Sequence, residues 1–423
     1  MLGSCFILSL VSDVSLGLSL LSVGVFSIVG FMGFDLSVEF EALVINPVSF
    51  MMWLVFMFSF SLVMFKVWEY ICDLSFVSDF RIFGYFLQGL FLGDAIYWFS
   101  VIFFSVSSWV MLFIGFESVL WGLIMVILYS SGYQERLFSC KVLMLFTAIF
   151  SIPLLMMVMS LYNMGVYEEV WSMSGVNMGV VMLFIVSLAF MVKVPVYGFH
   201  QWLPIVHVEA PVSGSMVLAG VLIKTGVLGL ILIVSSLAGL DSWLFGWFSL
   251  GVLVSLVKML MSTDFKVVVA YSSIVHMGCL ILGLFFSGVS VVMSSILILV
   301  FHSFVSVSLF WLVGYFSEFC FSRSFMVLKG VLIWGGFSMV VIFYLLVLNS
   351  GFPSGGGFWG ELGVFYSILF SSELYLFSVF VLIFFSVVVN FEVIMVLSSS
   401  VSRKISIFSG SMIGLGVLLE ILK

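Results

Sequence analysis

The sequence has 423 residues, of which 64% are hydrophobic and only 8% are charged, and its formal net charge at pH 7 is −7. A mean hydropathy of +1.39 excludes an ordinary soluble domain. The 13 lysines and arginines are too few and too scattered to neutralise a phosphate backbone, which excludes nucleic acid as a partner, and they leave the membrane orientation undetermined.

Long apolar runs recur along the chain, and each exceeds the roughly 18 residues that a helix needs to cross a hydrocarbon layer of about 30 Å. Two of them lie at residues 16–34 and 47–65, and two more lie at 231–257 and 331–348. Alternation of apolar and polar residues with a period of two is not evident, which argues against a membrane β-barrel. The runs predict an all-α polytopic membrane protein with roughly a dozen transmembrane helices in contact with membrane lipids.

The polar connections between these runs are short. The longest covers residues 66–81, and others lie at 131–141, 262–266 and 317–323. We interpret them as loops at the membrane surface, so the chain from 1 to 423 is expected to form a single transmembrane domain. The first apolar segment has no basic stretch before it, and no cleavable signal peptide is expected.

Two segments are predicted to interrupt helices at membrane depth. Residues 193–211, KVPVYGFHQWLPIVHVEAP, contain three of the six prolines, and residues 349–361, NSGFPSGGGFWGE, contain Pro353 and a run of three glycines. Proline removes a backbone donor and glycine weakens a helix. Unwound backbone inside a bilayer is tolerated only when it is buried in protein or lines water. One break in each half of a membrane protein is typical of inverted repeats around a central pathway.

Ionisable side chains are rare within the apolar runs, where an isolated charge costs about 2.5–3.5 kcal/mol on insertion scales. Such residues can be functional, but they can also snorkel or form static pairs between helices, and a lone histidine is more often a satisfied core residue. Snorkelling is poor for Lys224, because the apolar helical run continues for several turns on both sides of it. We read His207 and Glu209 as parts of a structural turn. The candidates for a proton pathway are Glu117, Lys193, Lys224, His276, His302 and Glu361.

These candidates suit proton transfer better than metal binding. They form neither the dense oxygen cage of a sodium site nor the His/Cys cluster of a zinc site. The five cysteines are scattered without a C-x-x-C pair, and the four histidines do not suit a haem. We therefore expect neither a metal nor a bound cofactor in this chain.

The presence of both lysine and glutamate side chains within the apolar runs favours a proton relay, in which a Glu–Lys pair that can form and separate acts as a switch. Desolvation favours the neutral form of a lysine, and a nearby carboxylate favours its charged form. We predict that Glu117 and Lys193 form a pair whose opening and closing decides whether a proton moves on to Lys224.

Several motifs resemble one known family. KVPVYGFHQWLPIVHVEAP, SMVLAG and LIKTG, together with FES, GYQERL, STDFKVVVAYSSIVHMG, FHS and GELGVF, are similar to the antiporter-like subunits of respiratory complex I (NADH:ubiquinone oxidoreductase), and HVEAP with SMVLAG is specific to the subunit 4 family. The matched motifs run from about residue 116 to about residue 366. The wider family includes subunits of Mrp-type sodium/proton antiporters. Ile205 departs from the pattern, since a lysine usually follows WLP.

The resemblance implies a fold of roughly 12–14 transmembrane helices with two inverted repeats, each containing a broken helix. It implies a first repeat at about residues 82–237, a second at about 244–397 and a C-terminal helix at about 405–421. It also implies roles for the six candidates: Glu117 and Lys193 resemble a coupled pair at the entry side, Lys224 a central proton-carrying lysine, His276 and His302 members of a polar central chain, and Glu361 a terminal carboxylate facing the exit.

The resemblance also predicts a proton-translocating subunit of the complex I membrane arm, with neighbouring antiporter-like subunits as partners. NADH, FMN, iron–sulfur clusters and ubiquinone would be used by other subunits. The 50 phenylalanines and six prolines suit a coding strand rich in T and G, which favours a mitochondrially encoded protein of the inner membrane. The alternatives are an Mrp-type cation/proton antiporter subunit, a hydrogenase-linked bacterial relative, or a scaffold that braces the membrane arm without moving protons.

Overall fold

A computed structural model describes most of the chain from residue 108 to residue 398. The described residues are 38–40, 43–45, 96, 99, 100, 103, 108–130, 134–163, 180–237, 242–284, 289–329, 336–353, 355–369 and 373–398. The predicted spans at 16–34 and 47–65, the loop at 66–81 and the C-terminal helix at 405–421 lie outside them. Two three-residue strands, β1 (Val38–Phe40) and β2 (Leu43–Ile45), pair antiparallel with Val38 opposite Ile45.

Helices account for nearly all of the other described residues. The first half contains α1 (Trp109–Ser130), α2 (Gln134–Asn163), α3 (Val180–Lys193), α4 (Trp202–Glu209), α5 (Val212–Val217), a π-helical turn (Leu218–Leu222) and α6 (Ile223–Leu237). The second half contains α7 (Ser242–Met261), α8 (Phe265–Leu284), α9 (Val289–Cys320), α10 (Phe325–Leu328), α11 (Gly336–Asn349), α12 (Gly356–Leu369) and α13 (Glu373–Ser398).

The lengths and apolar sequences of these helices confirm the all-α polytopic fold. Within the described ranges, six helical segments are long and apolar enough to cross a membrane. Three of them form the centre of the bundle. In Val212–Ile233, 89% of an 18-residue apolar stretch is buried, and the share is 83% in Phe265–Leu284 and 78% in Val291–Glu318. In α1, α2 and α13 the buried share falls to 44%, 33% and 39%, so these helices turn apolar faces outward.

Helices break in both segments where the sequence predicts it. α3 ends at Lys193, turns cover 194–201, and the short helix α4 is separated from α5 at Ala210 and Pro211. In the second half α11 ends at Asn349 and α12 begins at Gly356.

Several boundaries differ from the prediction: α8 begins within the loop predicted at 262–266, and α9 continues into the one predicted at 317–323. Residues 131–141 were expected to form a surface loop, but α2 begins at Gln134 with Glu135 in its first turn. A carboxylate there stabilises the helix, because it interacts favourably with the positive end of the helix dipole. The apolar run at 231–257 is divided between α6 and α7, which end and begin on either side of residues 238–241.

Glycines bring the buried helices into close contact. A Cβ at Gly356 would lie 2.0 Å from the ring of Phe301 on α9, and one at Gly360 would lie 2.6 Å from Ile298. Gly356 and Gly360 therefore form a small-xxx-small interface of the kind that lets membrane helices pack backbone to backbone. In the first half, a Cβ at Gly229 would lie 2.1 Å from the ring of Phe190, so α6 lies equally close to α3.

This packing predicts unequal effects for two adjacent glycines. Gly356→Ala should destabilise the protein by about 1–3 kcal/mol, because the added methyl group overlaps the Phe301 ring. Gly357→Ala is the matched control, since the nearest side-chain atom to its Cβ is 4.0 Å away. Both changes add one methyl group to the start of α12, so equal unfolding temperatures in detergent, followed by circular dichroism, would contradict the close contact.

Candidate proton-transfer site

Lys224 lies fully buried at the centre of the bundle. It is the second residue of α6, just after the π-helical turn Leu218–Leu222, and its ammonium group donates to the carbonyl oxygen of Ala219 within that turn. A π turn inserts one residue into the helix and weakens the regular hydrogen-bond ladder, and such turns often occur at functional sites. The ammonium nitrogen also lies 3.1 Å from Nδ1 of His302 on α9.

His302, His276 and Glu361 continue this contact towards the second break. The rings of His302 and His276 have centroids 5.6 Å apart and are tilted by 55°. Nδ1 of His276, on α8, lies 2.9 Å from Oε1 of Glu361 on α12. All four residues of this series, from Lys224 to Glu361, are less than one tenth exposed. We call them the buried chain.

The loop of the second break is built against Glu361. Gly351 has a φ of +70°, a conformation that favours glycine. A Cβ at this position would lie 2.7 Å from Oε2 of Glu361. This carboxylate oxygen is buried and has no hydrogen-bond partner among the described residues, so the loop backbone closes directly over it.

Among the described residues, no hydrogen bond joins Glu117 or Lys193 to the buried chain. Lys193 is buried, its ammonium nitrogen donates to the carbonyl oxygen of Phe116 at 2.7 Å, and it lies 3.0 Å from the centre of the Phe116 ring. Both Glu117 and Lys193 are described, and no salt bridge joins them. Oε1 of Glu117 is buried without a hydrogen-bond partner within the described part of the chain. The predicted pair is therefore not closed in this structure, although the two residues sit on neighbouring elements.

Side-chain donors satisfy the backbone carbonyls at the first break. Trp202 Nε1 donates to the carbonyl of Val192 at 2.9 Å, Arg323 donates to that of Val208 at 2.9 Å, and Lys266 donates to that of Ala210 at 2.6 Å. The last carbonyls of a helix have no partner within the helix, and cations near that end are stabilising. Lys266 is buried and lies on α8, so it ties the broken segment of the first half to the second half.

This contact makes Lys266 important for stability. Lys266→Met should lower the unfolding free energy by about 1–3 kcal/mol, because the buried carbonyl of Ala210 loses its donor. Lys266→Arg should retain most of the stability, and Lys141→Met, at an exposed lysine on α2, serves as the control. Thermal unfolding in detergent measures all three, and a Met variant as stable as the control would contradict the role of Lys266.

The other two histidines have different environments. His200 is buried, and its Nε2 lies 3.2 Å from the ammonium nitrogen of Lys258. His207 is fully buried and stacks on Phe310 with ring centroids 4.4 Å apart, and neither of its nitrogens has a hydrogen-bond partner among the described residues. No group of three or more His, Cys, Asp or Glu residues that could hold a metal ion occurs in the described part of the chain.

Three polar residues that the sequence did not point to form buried hydrogen bonds in the structure. The sequence assigns Lys266 to a surface loop, although a lysine at the start of a long apolar helix is a signal. Asn349 and Asn390 are buried and hydrogen-bonded to each other at 2.9 Å. The signal for Asn349 is Pro353 four residues later, and Asn390 interrupts the apolar run FSVVVNFEVIMVL.

Comparisons of the sequence identify related proteins. The sequence profile of the family described as NADH:quinone oxidoreductase/Mrp antiporter, TM, matches residues 106–389. The NADH-ubiquinone oxidoreductase chain 4 of Ceratitis capitata is 35% identical over 339 residues, which are 78% of this chain and 75% of that protein. Chain 4 of Artemia franciscana is 35% identical over 264 residues, 62% of this chain and 68% of that protein.

Two solved structures share the fold. A chain of respiratory complex I from Thermus thermophilus with bound NADH superposes with a TM-score of 0.71 and 21% identity, over 89% of this chain and 80% of that chain. A chain of the Mrp complex from Dietzia sp. superposes with a TM-score of 0.71 and 16% identity, over 85% of this chain and 67% of that chain.

Proposed function

Because the chain belongs to the NADH:quinone oxidoreductase/Mrp antiporter transmembrane family, and within it to the family of NADH-ubiquinone oxidoreductase chain 4, we propose that it is a proton-translocating subunit of the membrane arm of respiratory complex I. It lies in the mitochondrial inner membrane as a multi-pass protein, and its partners are other subunits of the complex, especially neighbouring antiporter-like subunits. NADH, FMN, iron–sulfur clusters and ubiquinone act on those other subunits, and this chain moves protons when quinone is reduced.

The observation that carries this proposal is the buried chain. Lys224 and His302 are 3.1 Å apart and His276 and Glu361 are 2.9 Å apart, all on different helices. Placing four ionisable groups together in an apolar interior is costly unless they compensate one another. Two hydrogen-bonded pairs of acids and bases joined by a ring contact support proton transfer, because each group can accept a proton from one neighbour and release it to the next.

Proton transfer starts with the Lys224 ammonium, which releases a proton to Nδ1 of His302. The tilted rings of His302 and His276 are in contact but not hydrogen-bonded. Both nitrogens of His276 already have partners, so rotation of the His302 ring or one water molecule passes the proton on to the His276–Glu361 pair. His276 and Glu361 already share a direct contact. One break lies within each proposed repeat, the first repeat being at about 82–237 and the second at about 244–397. The turns at 194–201 and the connection between α11 and α12 let water reach the two ends of this path.

Glu117 and Lys193 form the switch at the entry side of the path, before Lys224. The ammonium of Lys193 now binds the carbonyl of Phe116, the residue before Glu117, so a small change at this point of α1 would bring the carboxylate to it. In the closed pair the carboxylate keeps Lys193 charged. In the open pair burial favours the neutral amine, and the proton leaves towards Lys224.

Lys224→Ala tests the central step. It should reduce NADH-driven proton translocation by at least about ten-fold, the scale of losing a positioned proton donor, while assembly is largely retained. Protons translocated per NADH oxidised are measured in sealed membrane vesicles that contain the assembled complex. Lys141→Ala, at an exposed lysine, is the control, and translocation by Lys224→Ala at the rate of this control would remove the proposal.

Glu117→Gln and Glu117→Asp test the switch. The Gln variant should impair proton translocation because it cannot recharge Lys193, whereas the Asp variant keeps the negative charge on a shorter side chain and should retain part of the activity. The same vesicle assay measures both variants. Wild-type translocation in Glu117→Gln would mean that Glu117 is only a structural hydrogen-bond acceptor.

The fold shared with the Mrp complex favours a cation/proton antiporter subunit as the second candidate function. Purification in mild detergent separates the two. Recovery with flavin- and iron–sulfur-bearing subunits supports the complex I assignment, whereas recovery with other membrane subunits alone supports the antiporter. A scaffold without transport would assemble with the redox subunits yet tolerate both Lys224→Ala and Glu117→Gln.

A further inference from the structure

The geometry of His276 is fixed by a backbone oxygen. Its Nε2 lies 2.8 Å from the carbonyl oxygen of Asn349, the last residue of α11. A carbonyl oxygen can only accept a hydrogen bond, so Nε2 carries a hydrogen and Nδ1 is left for Glu361. In a continuous helix this carbonyl would accept from the N–H of residue 353, but Pro353 has none. The proline therefore frees the oxygen that binds His276.

With this tautomer fixed, the contact between Nδ1 of His276 and Oε1 of Glu361 holds one proton. Either an imidazolium donates to a carboxylate, or a carboxyl group donates to a neutral ring. The proton passes between them as an N–H bond breaks and an O–H bond forms, and neither side chain rotates. Loss of this proton would set two acceptors against each other at 2.9 Å, so the pair must then take up another proton or separate.

The side chain of Asn390, on α13, holds Asn349 in place. Asn349 Nδ2 donates to Asn390 Oδ1 at 2.9 Å, and Asn390 Nδ2 donates to the carbonyl oxygen of Ser386 at 2.9 Å. The direction of these two hydrogen bonds is fixed, because the Ser386 carbonyl oxygen can only accept a hydrogen bond. Asn349 is 5% exposed and Asn390 is 2% exposed, so neither amide can exchange its partner for bulk water.

We propose that Asn390 is a positioning residue for proton transfer: it anchors the end of α11, so that the Asn349 carbonyl keeps His276 in the tautomer whose Nδ1 faces Glu361. This inference rests on the proposed proton-transfer function and deepens it. α13 thereby controls the Glu361 end of the buried chain, although it contributes none of the four residues of that chain.

A matched pair of substitutions tests the role of Asn390. Threonine and valine have nearly the same shape, but only the threonine hydroxyl group can accept from Asn349 and donate to the Ser386 carbonyl, as helical threonines often do. In sealed vesicles that contain the assembled complex, Asn390→Val should slow NADH-driven proton translocation about five-fold, the rate equivalent of one buried hydrogen bond. Asn390→Thr should retain most of the rate.

Ser386→Ala is the control on the same helix. It removes a hydroxyl group that binds the carbonyl of Ile383 and keeps the backbone carbonyl that Asn390 uses, so its rate should equal that of the unmodified chain. Co-purification of each variant with the flavin- and iron–sulfur-bearing subunits in mild detergent verifies that it is assembled. If Asn390→Val does not assemble, Asn390→Ala and Asn390→Ser provide a second pair that differs by a single hydroxyl group.

The same two substitutions in a Glu361→Gln background separate this inference from the proposed function. The effect of Asn390 passes through the His276–Glu361 contact, so Val and Thr should give equal rates once Glu361 is replaced. If Glu361→Gln alone translocates protons at the normal rate, the proposed function fails. If Glu361→Gln is impaired but Asn390→Val matches Asn390→Thr with Glu361 intact, only the positioning role is overturned.

Discussion

The fold depends on one constraint: a backbone carbonyl released by a helix break inside an apolar bundle must find another donor. The protein meets this constraint with side chains from the break itself and from distant parts of the sequence. Trp202, Lys266 and Arg323 donate at the first break, and His276 donates at the second. Each break is thus fastened to a neighbouring helix, and the donor at the second break is itself a member of the buried chain.

The same constraint explains why structure and candidate chemistry coincide. A carbonyl that binds an imidazole fixes which ring nitrogen carries a hydrogen, and a carbonyl that binds an ammonium holds a lysine within an apolar interior. Ala219, Phe116 and Asn349 all provide such oxygens. Close packing at Gly356 and Gly360 then brings α12, and with it Glu361, close to α8 and α9. Any side chain at these two glycine positions would hold the helices further apart.

The sequence predicted the fold class and both breaks, because each rests on a local signal. Lys224 is a candidate on the same kind of signal, whereas His276 and His302 are candidates mainly through the resemblance to a known family. An isolated lysine in an apolar run, a cluster of prolines and a glycine-rich loop are visible without coordinates. The glycine run itself was only partly understood: it was read as unwound backbone, whereas Gly356 and Gly360 lie inside α12 and serve its approach to α9. Their role depends on Phe301 and Ile298, which no local pattern connects to them.

Contacts between distant residues could not be predicted. Asn349 and Asn390 are 41 positions apart, and nothing in the sequence indicates their hydrogen bond, because it depends on how α13 packs against the break. The capping role of Lys266 depends likewise on the position of a carbonyl 56 residues earlier. The contact of Lys193 with Phe116, in place of Glu117, depends on the exact rotation of α1, which charge pairing alone does not determine.

The π turn at Leu218–Leu222 has a consequence for how this site tolerates changes in chain length. One additional residue in a helical turn rotates everything that follows by about 100° and shifts it by about 1.5 Å. The direction in which Lys224 points is thus encoded by the number of residues before it as well as by its own identity. Deleting any one of those five residues could leave a regular, apolar, well-packed helix in which every ionisable residue is still present, yet the lysine would face a different neighbour. Alignments that score only matching residues would overlook such a loss.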